Sequence, residues 1–200
     1  MNYTIQKSLS EAVTYEVYLQ TLSHYLDTAN TPAHPEEEML FHYTQLNVKR
    51  MQRLNKTLSL LPEVETDLKE ALKRPLIALV LSEGWCGDAA QVLPVLHLMA
   101  SASTAVEFKV VFRDQQEDLM DLFLTNGAKS IPKVILIDAA TEEVLAHWGP
   151  RPQGATATVA RLKEQYGGIT EEVKIGLQQW YNEDKGHEIQ RELGALFQNA

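Results

Sequence analysis

Between Pro75 and Ser82 the chain runs through six consecutive apolar residues, Leu76–Leu81, with breakers on either side. A run this short is far below the roughly 20 apolar residues that span a bilayer, and it fits a strand buried on both faces. Such a strand belongs to a sheet that helices cover on both sides, so it commits the surrounding chain to an α/β arrangement. The following residues supply the rest. Asp88–Ala102 is predicted as a helix with Val92, Val95, Leu96 and Met99 on one face. Val106–Arg113 reads as a strand and Glu117–Thr125 as a helix. Lys133–Asp138 and Glu143–Trp148 read as two strands joined by a turn at Ala139–Thr141. Ala155–Tyr166 then forms a helix that Gly167 and Gly168 stop. Two βαβ-like passes closed by a hairpin predict a four-stranded mixed sheet between helices.

The flanks read as helical. Ser8-Leu9-Ser10-Glu11 has capping-box spacing, and Tyr15, Tyr18, Leu19, Leu22, Tyr25 and Leu26 follow at helical intervals. Thr31–Pro35 breaks that helix, and Pro35 with Glu36, Glu37 and Glu38 starts another, which the stripe Met51, Leu54, Leu58, Leu61 carries to Pro62. A third, shorter helix holds Val64, Leu68 and Leu72. At the other end Thr170 caps a helix carrying Val173, Leu177, Trp180 and Tyr181, and Gly186 separates it from Ile189, Leu193 and Phe197. The expected organisation is a helical extension over 1–74, an α/β domain over 75–166, and a helical segment over 167–200 packed on it. Amphipathic helices by default cover a core; the other use for these is a dimer or partner surface. Lys49, Arg50, Arg53 and Lys56 cluster on the second helix and read as a solvated face rather than an anion site.

Charge and cysteine content exclude several functions. With 27 acidic against 18 basic side chains the net charge is −9, which repels nucleic acid and anionic membranes, so neither is an expected partner. Met1–Glu11 lacks the apolar stretch of a signal peptide, and the expected location is cytoplasmic. One cysteine allows no intramolecular disulfide and no cysteine-based zinc site, and the six histidines lack ligand spacing. No metal and no resident cofactor are expected.

The chemistry concentrates in Ser82-Glu83-Gly84-Trp85-Cys86-Gly87-Asp88-Ala89, which links the buried strand to a helix. Cys86 therefore stands where a helix N-terminus presents free N–H groups, and those groups with the helix dipole favour a thiolate. Over residues 75–166 the chain resembles the thioredoxin superfamily, in particular a thioredoxin-like branch with a WCGDA motif. Four features carry the resemblance: Trp85-Cys86-Gly87 after an apolar strand, Pro94 within the following helix, Ile131-Pro132 before the third strand, and Gly149 after the hairpin.

The resemblance implies roles. Cys86 matches the attacking cysteine, and Trp85 with Gly87 shapes the surface beside it. Pro132 matches the family's cis-proline, which leaves the backbone of Ile131 free to pair with an extended substrate. Two departures stand out: Ala89 replaces the second cysteine, and Val80 replaces the buried acid of the first strand. The intramolecular dithiol cycle is thereby excluded. Asp88 would raise the Cys86 pKa as a like charge, whereas Lys133, beside Pro132, would lower it if it reached the thiol; the two are not ranked by sequence. The leading expectation is monothiol thiol–disulfide exchange, with Cys86 attacking a disulfide-containing protein or small mixed disulfide and an external thiol resolving it. The alternatives are a non-catalytic peptide-binding module and a redox sensor; the oligomeric state is left open.

Overall fold

The computed structural model describes residues 2–29, 34–70 and 74–200. Four strands, β1 (Leu76–Ser82), β2 (Val106–Phe112), β3 (Lys133–Asp138) and β4 (Val144–Trp148), form one sheet in the order β2-β1-β3-β4. The β1–β2 pair is parallel, with Val80 opposite Val110. The β1–β3 and β3–β4 pairs are antiparallel, with Val80 opposite Val134 and Ile135 opposite His147. Every residue of β1 is buried, as its unbroken apolar run requires. The mixed α/β sheet predicted from the alternation of patterns is the observed one.

Nine helices among the described residues surround the sheet: α1 (Tyr3–Glu11), α2 (Tyr15–Thr28), α3 (Pro35–Thr57), α4 (Pro62–Glu70), α5 (Ala89–Ser101), α6 (Glu117–Leu122), α7 (Gln153–Tyr166), α8 (Glu171–Asp184) and α9 (His187–Gln198). Helix α5 packs on β2 and is covered in turn by α3 and α9, while α7 packs on α8. Buried side chains from both flanks, including Ile5, Tyr18, Met51, Val64, Leu193 and Phe197, join the apolar cluster that contains β1 and α5. None of the described helices is long and apolar enough to cross a membrane.

Several local expectations shift. The capping-box residues Ser8–Glu11 end α1 instead of starting a helix, because α1 is already capped at Asn2, whose side chain accepts from the Thr4 N–H; the Ser8 hydroxyl is shared between the Thr4 carbonyl and the Gln116 side-chain oxygen. Helix α2 is capped by Thr14, whose hydroxyl accepts from the Val17 N–H. Between α1 and α2, Val13 bridges Val110 in antiparallel fashion and occupies the open edge of β2. Helix α6 stops at Leu122, three residues short of the predicted end. Asn126 (φ 52°) and Gly127 (φ 77°) then make a tight turn, closed by a bridge between Thr125 and Ala128. Residues 31–33 of the predicted break at Thr31–Pro35 lie outside the described residues, as does Leu72 of the predicted third helix.

Helix α7 has no side-chain cap of its own. Its first N–H groups donate instead to α9 carboxylates, Gln153 to Glu192 at 2.8 Å and Gly154 to Glu188 at 2.9 Å. Glu192 also accepts from the Trp148 indole at 2.6 Å. The carboxyl-terminal helix thus fixes the start of α7, and with it the residues just before.

Candidate functional site

Cys86 lies in the loop between β1 and α5, which three neighbouring elements hold in place. From α3, the Asn47 amide donates to the Gly84 carbonyl at 3.0 Å, and from α2 the Tyr18 hydroxyl lies 3.1 Å from that of Ser82. At the end of β2, the Asp114 N–H donates to the Glu83 carboxylate at 2.9 Å, and burial raises the Glu83 carboxyl to about 6. The Arg113 guanidinium covers the Trp85 ring at 4.8 Å and is paired with Asp114.

Cys86 is 7% exposed. Its Sγ donates to the Ile131 carbonyl at 3.3 Å and accepts from the Ala89 N–H at 3.5 Å. The helix N-terminus does address the sulfur, as its place in the sequence implies, but this is the weaker influence. Burial pushes the Cys86 thiol up to about 12, with the Asp88 carboxylate adding to the rise. The N–H groups of Ala89 and Asp88 and the guanidinium of Arg151 act in the other direction and are outweighed.

Asp88 is buried, and its carboxylate is fully engaged. Oδ2 accepts from Arg151 at 2.7 Å, and Oδ1 accepts from the Tyr181 hydroxyl at 2.8 Å. Although Asp88 occupies the N-cap position of α5, its side chain makes no capping bond. It is a buried anion held by a cation from the β4–α7 junction and a phenol from α8. Tyr181 is raised well above the usual phenol value, first by burial and then by the adjacent Asp88 charge.

Lys133 does not join this group. It is 2% exposed, and its ammonium donates to the Thr125 hydroxyl at 2.6 Å and to the Gly149 carbonyl at 3.5 Å. The charges acting on the thiol are those of Asp88 and Arg151, so the cation near the sulfur is Arg151 and Lys133 does not reach it. Burial lowers the Lys133 pKa, since among the described residues no carboxylate offsets its desolvation.

The Ile131–Pro132 bond is cis, as is Gly149–Pro150. Both Ile131 and Pro132 are buried. The Ile131 carbonyl already receives the thiol proton, so that group is not free for a substrate strand. Gly149 lies against this turn. A β-carbon there would come within 2.3 Å of the Pro132 carbonyl oxygen, and its φ of +117° further selects for glycine.

Trp85, Cys86, Gly87, Asp88 and Ile131 therefore come together, with Pro132 behind them and Lys133 directed elsewhere. Over them lies an open depression of about 320 Å³, whose rim carries Arg113, Lys129 and Arg151. Among the described residues no three His, Cys, Asp or Glu side chains converge in a way that could hold a metal ion. Chemically, the arrangement keeps a neutral thiol beside an ion pair. Sequence reasoning missed Arg151, Tyr181 and Asn47. Arg151 had a signal, because it follows the glycine that opens the last helix of the thioredoxin pattern. Tyr181 and Asn47 had none, since their positions depend on how α8 and α3 dock.

A family model described as thioredoxin matches residues 33–164. Two crystal structures share the fold at low identity. One is an HIV epitope scaffold, 19% identical with a TM-score of 0.54, the alignment covering 94% of this chain and 99% of that one. The other is a protein of unknown function from Pseudomonas aeruginosa, 16% identical with a TM-score of 0.52, covering 92% and 99% respectively. No curated protein matches significantly.

Proposed function

The chain belongs to the thioredoxin family, and from that membership we propose that it is a thioredoxin-fold binding protein that recognises a partner through Trp85 and the loop around Cys86. The observation that carries this reading is the state of the thiol. Buried, donating its proton to Ile131 and facing the Asp88 carboxylate, Cys86 is a poor thiolate at neutral pH. Efficient exchange needs a thiolate, and this chain also lacks a second cysteine to resolve a mixed disulfide. The fold's surface beside the cysteine, with the half-buried Trp85 under Arg113, needs no sulfur chemistry in order to bind.

A second reading is monothiol exchange, which the depression over Cys86 and its cationic rim favour. In that cycle Cys86 loses its proton to solvent and attacks one sulfur of a disulfide. A mixed disulfide forms and the other sulfur leaves as thiolate. An external thiol then attacks the mixed disulfide, releases Cys86, and is itself left joined to the substrate sulfur. A redox sensor would stop at the first of these steps.

One paired experiment separates the readings. Peptide binding, measured on an array of acetylated twelve-residue peptides free of cysteine, is expected to survive Cys86→Ser and to weaken at least fivefold in Trp85→Ala. Reduction of 2-hydroxyethyl disulfide by glutathione is expected to show no dependence on Cys86. Turnover that disappears in Cys86→Ser, with no peptide bound, would overturn the binding reading in favour of exchange.

A further inference from the structure

The N-terminal and C-terminal helices do more than cover the core. Helices α3 and α8 stand apart enough to leave an open groove of about 650 Å³. Its walls are apolar: Met39 and Leu46 on α3 are 49% and 51% exposed, and Ile175 on α8 is 56% exposed. A volume of this order lies within the range of binding pockets, about 300–1,000 Å³. Apolar side chains left half in water on two facing helices form a patch of the kind that marks interaction sites.

The groove continues into the thiol loop. Trp85, Gly87 and Asp88 line both the groove and the depression over Cys86. Where they meet stands Arg50, one of the cations that the sequence pattern assigned to a solvated face. Arg50 is instead half-buried and donates to the Asn47 side chain at 2.7 Å. Among the described residues it has no carboxylate at ion-pair distance; burial and then the neighbouring Arg53 charge lower its pKa, against the opposing pull of Asp88. Lys174, the other cation of the groove, already has Glu171 and the Tyr43 hydroxyl as partners. Arg50 therefore stands in the groove lining without a direct salt bridge among the described residues; the Asp88 carboxylate acts on it only through space and is itself bonded to Arg151 and Tyr181.

We propose that this groove is the specificity-determining part of the binding surface, taking a segment of a protein partner that carries two or three large apolar side chains and one carboxylate. The inference rests on the binding reading above and names the partner's chemistry. The apolar side chains lie between α3 and α8, and the carboxylate pairs with Arg50, where a guanidinium offers bidentate hydrogen bonds. A polypeptide fits better than a single alkyl chain, because both walls are half exposed and an occupant must spread across them. It fits better than a second copy of this chain, because a stable dimer face buries about 800 Å² on each partner and the lining of the groove is much smaller than that.

The test uses the full chain and the same peptide array. Peptides with at least two Leu, Ile or Phe residues and one Glu are expected to bind best, and replacing that Glu by Lys is expected to weaken them about tenfold. In Arg50→Gln the preference for Glu over Lys should vanish while apolar selection persists. In Ile175→Asp and, from the opposite wall, Leu46→Asp, binding of these peptides should drop at least tenfold. Circular dichroism checks that each variant is folded, and both wall positions are exposed enough to accept the change. If peptides bind and Trp85→Ala weakens them while the groove variants do not, the groove inference fails and the binding reading stands. If no peptide binds, the binding reading fails with it. Stoichiometric binding of decanoate in place of every peptide, or a dimer in sedimentation velocity that Ile175→Asp splits, would overturn the choice of occupant.

Discussion

Unfolding the protein should make Cys86 much more reactive, and the size of the change follows from its surroundings. In the folded chain the thiol stands at about 12, against 9.0 in the absence of those surroundings. At pH 7.5 both forms are far below their pKa, so three units leave about 1,000-fold less thiolate in the folded state. A more basic thiolate is also a better nucleophile, with a Brønsted slope of about 0.45, which returns roughly 20-fold. Iodoacetamide should therefore alkylate the native protein about 50-fold more slowly than the same protein in 8 M urea, a gap that steric cover at 7% exposure can only widen. The same shift has a thermodynamic side. The folded pKa is raised, so the contribution to stability is complete below about pH 9 and is lost as pH rises towards 12. Relative to Cys86→Ser, the wild-type chain should lose about 1.4 kcal/mol of stability per pH unit in that window. Equal alkylation rates in the native and unfolded states, or a native inflection at or below about 8.5, would refute the claim that burial and Asp88 dominate over the helix N-terminus.

Other positions give sharper local tests. Lys133→Met should leave the alkylation profile of Cys86 unchanged, because the Lys133 ammonium is committed to Thr125 and Gly149; a shift of the profile would restore Lys133 to the thiol site. Gly149→Ala should destabilise the fold by more than about 2 kcal/mol in urea unfolding, since it adds a β-carbon against the Pro132 carbonyl at a φ of +117°. Glu83 has a raised folded pKa of about 6, so its protonated form favours folding below about 4.5 and that advantage is lost as pH rises through 6. Glu83→Gln should flatten this part of the stability curve and add about 1 kcal/mol at pH 7.5, after allowing for partial solvent screening; an unchanged slope between pH 4.5 and 6 would count against it.

Much of the fold is written in local patterns. The run Leu76–Leu81 has one favourable use, a strand with two buried faces, and the helical spacing of Val92, Val95, Leu96 and Met99 specifies which face of α5 packs inward. The position of Cys86 at a strand-to-helix turn could be read the same way, as could the absence of a resolving cysteine. Where local signals compete, reading fails: Ser8–Glu11 has the composition of a helix start, yet it closes a helix, because Asn2 caps the helix upstream and Thr14 caps the next one. The protonation of Cys86 was not legible at all. It depends on how completely water is excluded and on a carboxylate held by Tyr181, 93 residues away, and by Arg151. Desolvation and Coulomb interaction act through space, and periodicity along the chain carries no trace of them. The same holds for Lys133, whose side chain could have turned towards the thiol or towards Thr125, and for Arg50, which became a half-buried charge without a direct salt bridge only when α3 and α8 docked beside Trp85. Burial periodicity in the sequence thus determined the elements and the place of the sulfur. The packing of distant helices alone decided which charges surround it, and so whether it is a nucleophile or a neutral thiol.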